Sequence, residues 1–202
     1  MELTKLSMNC LKNIHFILAT KSPRRIEFLK NLNLNFKVYP SGFKEELKDF
    51  ITPEQYVINN SLQKAEDVSK NFENSIIAGF DTIVLFQNKI LGKPKNSEDA
   101  FNMLSMLSNS THKVITAYTL LHKKKDAKIT KYVTTDVFFK NLKNDEIKWY
   151  ISTNEPYDKA GAYAIQGIGA FMVKKINGSY TNVVGLPLAE FLEDLKNFYH
   201  NL

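Results

Sequence analysis

Short apolar runs, punctuated by Pro, Asn and charged clusters, set the rhythm of this chain. His15–Ala19 is apolar after its first residue and reads as a buried strand. Ser22-Pro23 directly after it signals a helix start, with Ser22 as N-cap and Pro23 as the first helical residue. Ile26, Leu29 and Leu32 give that helix one apolar face, and Phe36 and Val38 alternate with polar neighbours in a second strand. Thr52-Pro53-Glu54-Gln55 is a capping box that opens a helix through Tyr56, Leu62, Ala65 and Val68. Residues 75–86 predict either a buried strand pair or one long strand bent at Gly79. Asn88-Lys89 turns the chain into Ile90 and Leu91. Ser97 is expected to cap a helix with Glu98 and Asp99 in its first turn and Met103, Leu104 and Leu107 on its buried face. The β-rich runs 113–121 and 129–139 flank the exposed turn Lys123-Lys124-Lys125-Asp126. Asn144-Asp145-Glu146 opens a short helix carrying Trp149. Segments 170–176 and 180–184 flank Asn177-Gly178, a hairpin signal. Pro187 starts a closing helix along Leu188, Phe191, Leu192 and Leu195. Alternating helices and strands with several hairpins predict an α/β fold on a mixed sheet.

Composition narrows the class. The 202 residues suffice for one domain with a real core or for two small lobes around a cleft. Apolar residues at 44% and charged residues at 24% exclude a disordered or fibrous chain. The longest apolar run, 76–86, is interrupted by Gly79 and Asp81 and falls short of a membrane span. The first dozen residues lack an apolar leader core. Cys10 is the single cysteine, which excludes an internal disulfide and a cysteine-based metal site and suits a reducing compartment. A cytoplasmic location, away from any membrane, is therefore expected. The net charge of +6 fits either an anionic ligand or a solvated lysine surface. The aromatic residues follow the core periodicity and form no stacking platform, so nucleic acid is not an expected partner.

Of 27 basic residues only two are arginines, the neighbours Arg24 and Arg25 in the first turn of a predicted helix. Cations are disfavoured there unless an anion compensates. A phosphate would do so, taking backbone N–H groups, the Ser22 hydroxyl and the guanidinium forks. The plain alternative is a capping serine with two solvated arginines. Asp81 lies inside an apolar run, where a carboxylate is costly unless paired, hydrogen-bonded or metal-bound; it is either a site residue or a turn residue. Gly92-Lys93-Pro94 could bring Lys93 to a phosphate or be only a loop, and Glu45-Glu46 could hold a cation or be a solvated pair. The small-residue stretch 159–170 fits neither a dinucleotide fingerprint nor a P-loop; within it Gln166 could read a base edge, or the stretch could be tight packing. His15, His112, His122 and His200 lack metal-ligand spacing, and His112 reads as structural.

Seven segments in order carry a resemblance: LATKSPRR at 18–25, GFDT at 79–82, ILGKP at 90–94, LSNSTH at 107–112, DKAGAY at 158–163, IQG at 165–167 and NVVGLP at 182–187. Together they resemble the Maf proteins, or septum formation inhibitor proteins, a family of nucleotide pyrophosphatases. The resemblance implies a short extension at 1–13 and one Maf-like domain over 14–202. It implies a two-lobed α/β fold, an elongated mixed sheet with a central cleft, similar to inosine triphosphate pyrophosphatases. The implied reaction converts a nucleoside triphosphate to the monophosphate and pyrophosphate with Mg²⁺ or Mn²⁺, in a homodimer. Asp81 then takes the catalytic acidic position and Glu45 shares the metal. Ser22, Arg24, Arg25, Lys64, Lys93 and Lys159 meet the phosphates. Arg24, Thr82 and Gln166 match positions that set substrate choice and resemble the subfamily acting on dTTP and UTP rather than on 7-methyl-GTP. A non-catalytic regulatory protein restraining cell division is the alternative the family's older name suggests. Thr20-Lys21, Phe80 and Asn109-Ser110 depart from the usual pattern, and Phe80 beside Asp81 is expected to reshape the pocket.

Overall fold

In the computed structural model, which describes residues 8–45 and 52–202, most predicted elements form where the pattern places them. In chain order they are α1 (Met8–Lys12), β1 (His15–Ala19), α2 (Pro23–Asn31), β2 (Asn35–Val38), α3 (Pro53–Ser69), β3 (Ile76–Phe86), β4 (Lys89–Leu91) and α4 (Ser97–Leu107). There follow β5 (Thr111–His122), β6 (Ala127–Phe139), α5 (Asn144–Ser152), β7 (Val173–Asn177), α6 (Tyr180–Val184) and α7 (Leu188–His200). The strands form one seven-stranded sheet in the order β2-β1-β3-β5-β6-β7, with β4 also on β3. β1 runs parallel to both β2 and β3, and every other pairing is antiparallel, so the sheet is mixed as expected.

Alternation along β3 sorts its side chains between the two faces. On one face α3 packs Val57, Ala65 and Val68 over Ile17, Ile77, Ile83 and Ile115. On the other, Leu29 of α2 and Phe191 and Leu195 of α7 join Phe16, Leu18, Phe80, Tyr118 and Leu120. Further along that second face, α4 and α5 build a separate core on Val84, Val114, Val137 and Phe139. Between the two cores stand Thr82 and Thr116, whose hydroxyls bond each other at 2.9 Å. These are the two lobes expected from the resemblance, divided by a polar band. In the amino-terminal segment Leu11 is buried beside α7. No helix among the described residues is long and apolar enough to cross a membrane.

Two local expectations are corrected, and a third choice is decided. The hairpin expected across Asn177-Gly178 does not form: β7 is followed by α6. Ser179 caps that helix, its hydroxyl accepting from the Asn182 N–H, and Thr135 both accepts from the Ser179 N–H and donates to its carbonyl. Tertiary partners thus capture the second half of the apparent hairpin, and residues 168–172 form a 3₁₀ turn rather than the start of a strand. The cap of α4 is Asn96, whose side chain accepts from the Asp99 N–H, so Ser97 is the first helical residue. Of the two readings of 75–86, the one long strand forms: β3 pairs with β5 without a break through Gly79. That glycine is required because a Cβ there would lie 2.3 Å from the Ser61 carbonyl oxygen of α3. The capping box at Thr52 is present in full.

His112 is structural, as expected: it is buried, 2.7 Å from the Tyr163 hydroxyl and edge-on to Phe139. Burial pushes its imidazole down to about 4, whereas in the unfolded chain it protonates near 6.5. As pH falls the unfolded state therefore gains a proton first, and stability is lost between about 6.5 and 4, by on the order of 3 kcal/mol. A urea midpoint that declines over this window, with the His112 ring still neutral by NMR at pH 5.5, is the expected result. Ordinary titration of that ring in the folded protein would sink the explanation.

Candidate active site

β1 lies between β2 and β3, and the chain leaves its carboxyl end first toward β2 and later toward β3, with α2 and α3 on opposite faces. Such a reversal opens a crevice beyond the strand ends, the usual ligand position in open α/β sheets. β1 pairs with β3 as far as Gly79 and β4 rejoins that edge only at Val84, so residues 80–83 of β3, paired with β5 on the other side, face the crevice without a strand neighbour on this edge. A cleft of about 490 Å³ occupies the gap, well within the range of small-molecule sites.

Asp81 sits on the open edge and is 4% exposed. Its side chain points toward α3, where Asn60 and Lys64 share one face by their i, i+4 spacing. Lys64 Nζ donates to Asp81 Oδ1 at 2.7 Å and to the Phe80 carbonyl at 3.3 Å, and Asn60 Nδ2 donates to Asp81 Oδ2 at 3.1 Å. Burial pushes the Asp81 carboxyl up from its ordinary range; Lys64 opposes the shift and Glu45 adds to it. Glu45 is 2.5 Å from Lys64 Nζ. Partial burial works against its ionisation, but Lys64, Lys93 and Arg25 outweigh that and hold it below the ordinary range. Asp81 thus lines the cleft from within a strand and is not a turn residue. Glu46 lies outside the described residues.

Ser22 occupies the N-cap position of α2, but its hydroxyl makes no capping bond. Arg25 turns inward: Nε donates to the Gly185 carbonyl at 2.7 Å, Nη2 to Thr82 Oγ1 at 2.8 Å and Nη1 to Thr20 Oγ1 at 3.2 Å. Packing of this group draws its guanidinium down to about 10, with Asp81 opposing the shift, so it stays charged at neutral pH. Phe80 points away from Asp81. Its ring is buried against Phe191 and Tyr118 and lies 5.3 Å beneath the Arg25 guanidinium, so the departure at this position serves as a floor for Arg25. Thr20, another departure, supplies an anchor for the same arginine. Arg24 stands 4.0 Å from Asp158, and Lys159 donates to Asp158 at 2.5 Å and to the Glu155 carbonyl at 2.9 Å.

The cleft therefore brings together Ser22, Arg24, Arg25, Glu45, Lys64, Asp81, Thr82, Lys93 and Lys159. Gln166 stands apart from them, half-buried just after the cleft-lining Ile165, with its Oε1 buried and unpartnered among the described residues. Asn60, Thr20 and Thr116 were missed by sequence reasoning. Of these only Asn60 carried a signal, its position one helical turn before Lys64.

The sequence matches the family model described as "Maf-like protein" over residues 15–198. The chain belongs to the Maf family. Among its Maf relatives, a protein of Syntrophus aciditrophicus named dTTP/UTP pyrophosphatase is 46% identical over 181 residues, which cover 90% of this chain and 88% of that protein. A protein of the same name from Geotalea uraniireducens is 47% identical over 182 residues, 90% of this chain and 94% of its own. The Maf fold seen here is also similar to that of a HAM1 protein from Coxiella burnetii, at a TM-score of 0.50 and 12% identity over 94% of this chain and 100% of that one. The Staphylococcus aureus Ham1 protein matches at a TM-score of 0.50 and 15% identity, covering 89% and 98%.

Proposed function

We propose that this chain is a nucleoside triphosphate pyrophosphohydrolase that releases pyrophosphate and the nucleoside monophosphate, with dTTP and UTP as preferred substrates. The observation that carries the reading is Asp81, a buried carboxylate with a raised pKa, held by Asn60 and Lys64 on the open edge of a cleft lined with cations. The names of the Syntrophus and Geotalea relatives support the substrates.

Asp81 Oδ1 and Oδ2 each hold one donor, which leaves each with a further lone pair for a water proton. Asp81 orients the water and takes its proton as the oxygen attacks the α-phosphorus. The bond from that phosphorus to the bridging oxygen breaks, and the leaving pyrophosphate collects negative charge. Arg24, Lys93 and Lys159, with the free N–H groups of Arg25 and the Ser22 hydroxyl, surround the phosphates and stabilise that charge. Asp158 pairs with Arg24 and Lys159, and phosphates entering the cleft take its place. Glu45 and Asp81 converge on one ammonium, so their oxygens stand close enough to share a cation, and this hard-oxygen pair plus substrate phosphates suits Mg²⁺ or Mn²⁺. No group of three or more potential metal ligands is present among the described residues, so these two would hold the ion, which when bound supplies further neutralisation of the phosphates.

For the base, the buried Gln166 Oε1 lacks a donor, and the imide N–H common to uracil and thymine supplies one. Thr82 acts through Arg25, because both contacts of its hydroxyl are already made within the protein. We further take the protein to be a cytoplasmic homodimer in which residues 14–202 form one catalytic domain.

Pyrophosphate release from a panel of canonical and modified triphosphates with Mg²⁺ or Mn²⁺ tests the reading. Turnover of dTTP and UTP above the others is expected. Since a general base must be ionised and Asp81 titrates above its ordinary 3.8, kcat/KM should fall on the acid side with a midpoint above that value. Silence across the panel from folded protein would favour the non-catalytic regulatory reading instead.

A further inference from the structure

The 3₁₀ turn Glu155–Asp158 begins at a residue to which the proposed chemistry gives no part. Both oxygens of the Glu155 carboxylate accept hydrogen bonds from within the protein. Oε1 accepts from the Gly169 N–H at 2.9 Å and from the Tyr150 hydroxyl at 2.9 Å, and Oε2 accepts from the Ile168 N–H at 3.0 Å. These amides follow Gln166 by two and three residues. Between them stands Gly167, whose φ of +102° lies in the region glycine favours, and a Cβ there would come within 2.8 Å of Glu155 Oε2. Gly169 is equally confined, since a Cβ would lie 2.8 Å from the Tyr150 hydroxyl. The same Glu155 accepts at its main-chain carbonyl from Lys159 Nζ. Partial burial opposes ionisation of Glu155, yet the two amides, the tyrosine hydroxyl and Lys159 outweigh it and hold the carboxyl below its ordinary range, so it is charged at neutral pH.

We propose that Glu155 is the positioning residue for base selection: its carboxylate clamps the backbone that carries Gln166, next to the cleft-lining Ile165, while its carbonyl anchors Lys159 in the cleft. A glutamine amide has an acceptor and donors at opposite corners, so a free one can turn over and suit a cytosine edge as well as a uracil edge. Discrimination between them needs the amide presented from one fixed place, and two main-chain hydrogen bonds onto one carboxylate, itself held by the Tyr150 hydroxyl, fix the backbone that presents it. The inference rests on the reading of Gln166 as the residue that meets the base.

Full-length wild type, Glu155→Gln and Glu155→Asp would be compared for kcat and KM with UTP, dTTP and CTP. Glutamine keeps the shape but puts a donor where an amide N–H already points. The expected result for Glu155→Gln is a fall of at least about tenfold in the UTP-to-CTP ratio of kcat/KM, carried mainly by a higher KM for UTP. Glu155→Asp keeps the charge on a shorter arm and should fall between the two. A Glu155→Gln enzyme that loses kcat equally on all bases, with the ratio unchanged, would show a merely structural role and overturn the proposal. The wild type offers an independent check: the Ile168 and Gly169 amides should exchange with solvent far more slowly than free amides of an unfolded chain, and exchange at the unfolded-chain rate would also overturn it. A wild type inert on every triphosphate overturns the pyrophosphohydrolase reading and this role together, whereas an active wild type with an unaltered ratio in the variant removes only the role of Glu155.

Discussion

Replacing Asp81 by asparagine is expected to lower pyrophosphate release by on the order of 10³-fold or more while the protein stays folded. Asparagine preserves the shape of the side chain but cannot accept the water proton. It also removes the negative charge from between Lys64 and the Asn60 amide, leaving Lys64 with Glu45 alone. The stability change should go the other way or be small. Because burial raises the Asp81 pKa, ionised Asp81 at neutral pH is itself a cost to the folded state, and a neutral isostere relieves it. Turnover in the cleft and stability of the fold therefore pull in opposite directions at this residue. Thermal melts alongside a pyrophosphate assay check both halves. More than a tenth of wild-type turnover in the variant would rule Asp81 out as the base, and a melting point lowered by many degrees would contradict the burial argument.

Replacing Gly79 by alanine is expected to lower the melting temperature by about 6–12 °C, from an overpacking cost of about 3 kcal/mol in a chain of this size. The new methyl group would have to share space with the Ser61 carbonyl oxygen at 2.3 Å and with Ala65 at 3.0 Å. Both belong to α3, so relief requires the helix to move off the strand. Asn60 and Lys64 ride on that helix and Asp81 on the strand two residues further on, so the displacement should also loosen the catalytic contacts and reduce turnover. The measurement pairs a thermal melt with steady-state kinetics under conditions where the variant is still folded. A melting point within 2 °C of wild type would mean that the helix and strand are less closely packed than the structure has them.

Local sequence carried much of this architecture because local chemistry was unambiguous there. The capping box at Thr52 satisfies its own helix end whatever packs nearby, and the lysine turn at Lys123 is closed by its own neighbour His122, whose Nδ1 accepts from the Lys125 N–H. Where the outcome depended on distant partners the local signal misled. Asn177-Gly178 reads as a hairpin, yet Thr135 on a neighbouring strand and the Ser179 cap turn the following residues into α6. Gly79 reads as a bend, yet its role is to admit a helix backbone 18 residues earlier in sequence. For the site, the seven ordered motifs carried the family and most of the cleft residues, and the paired arginines stood out as the only two in the chain. They did not say that Arg25 points inward onto Phe80 and Thr82, nor that Asn60 holds the second oxygen of Asp81.

By itself, then, the sequence determined the class of fold, the family and the set of charged groups from which a triphosphate site can be built, because these follow from residue type, spacing and order. Only the tertiary structure decided which charges meet. The pairing of Lys64 with Asp81 and Glu45, the anchoring of Arg25 and the hold of Glu155 on the Gln166 loop each join segments distant in sequence or turned back on themselves. The first two draw their strength from burial in a gap of the sheet, where loss of water makes an unpaired charge costly and a correctly placed partner decisive, and burial is a property of the packed chain rather than of any stretch of it.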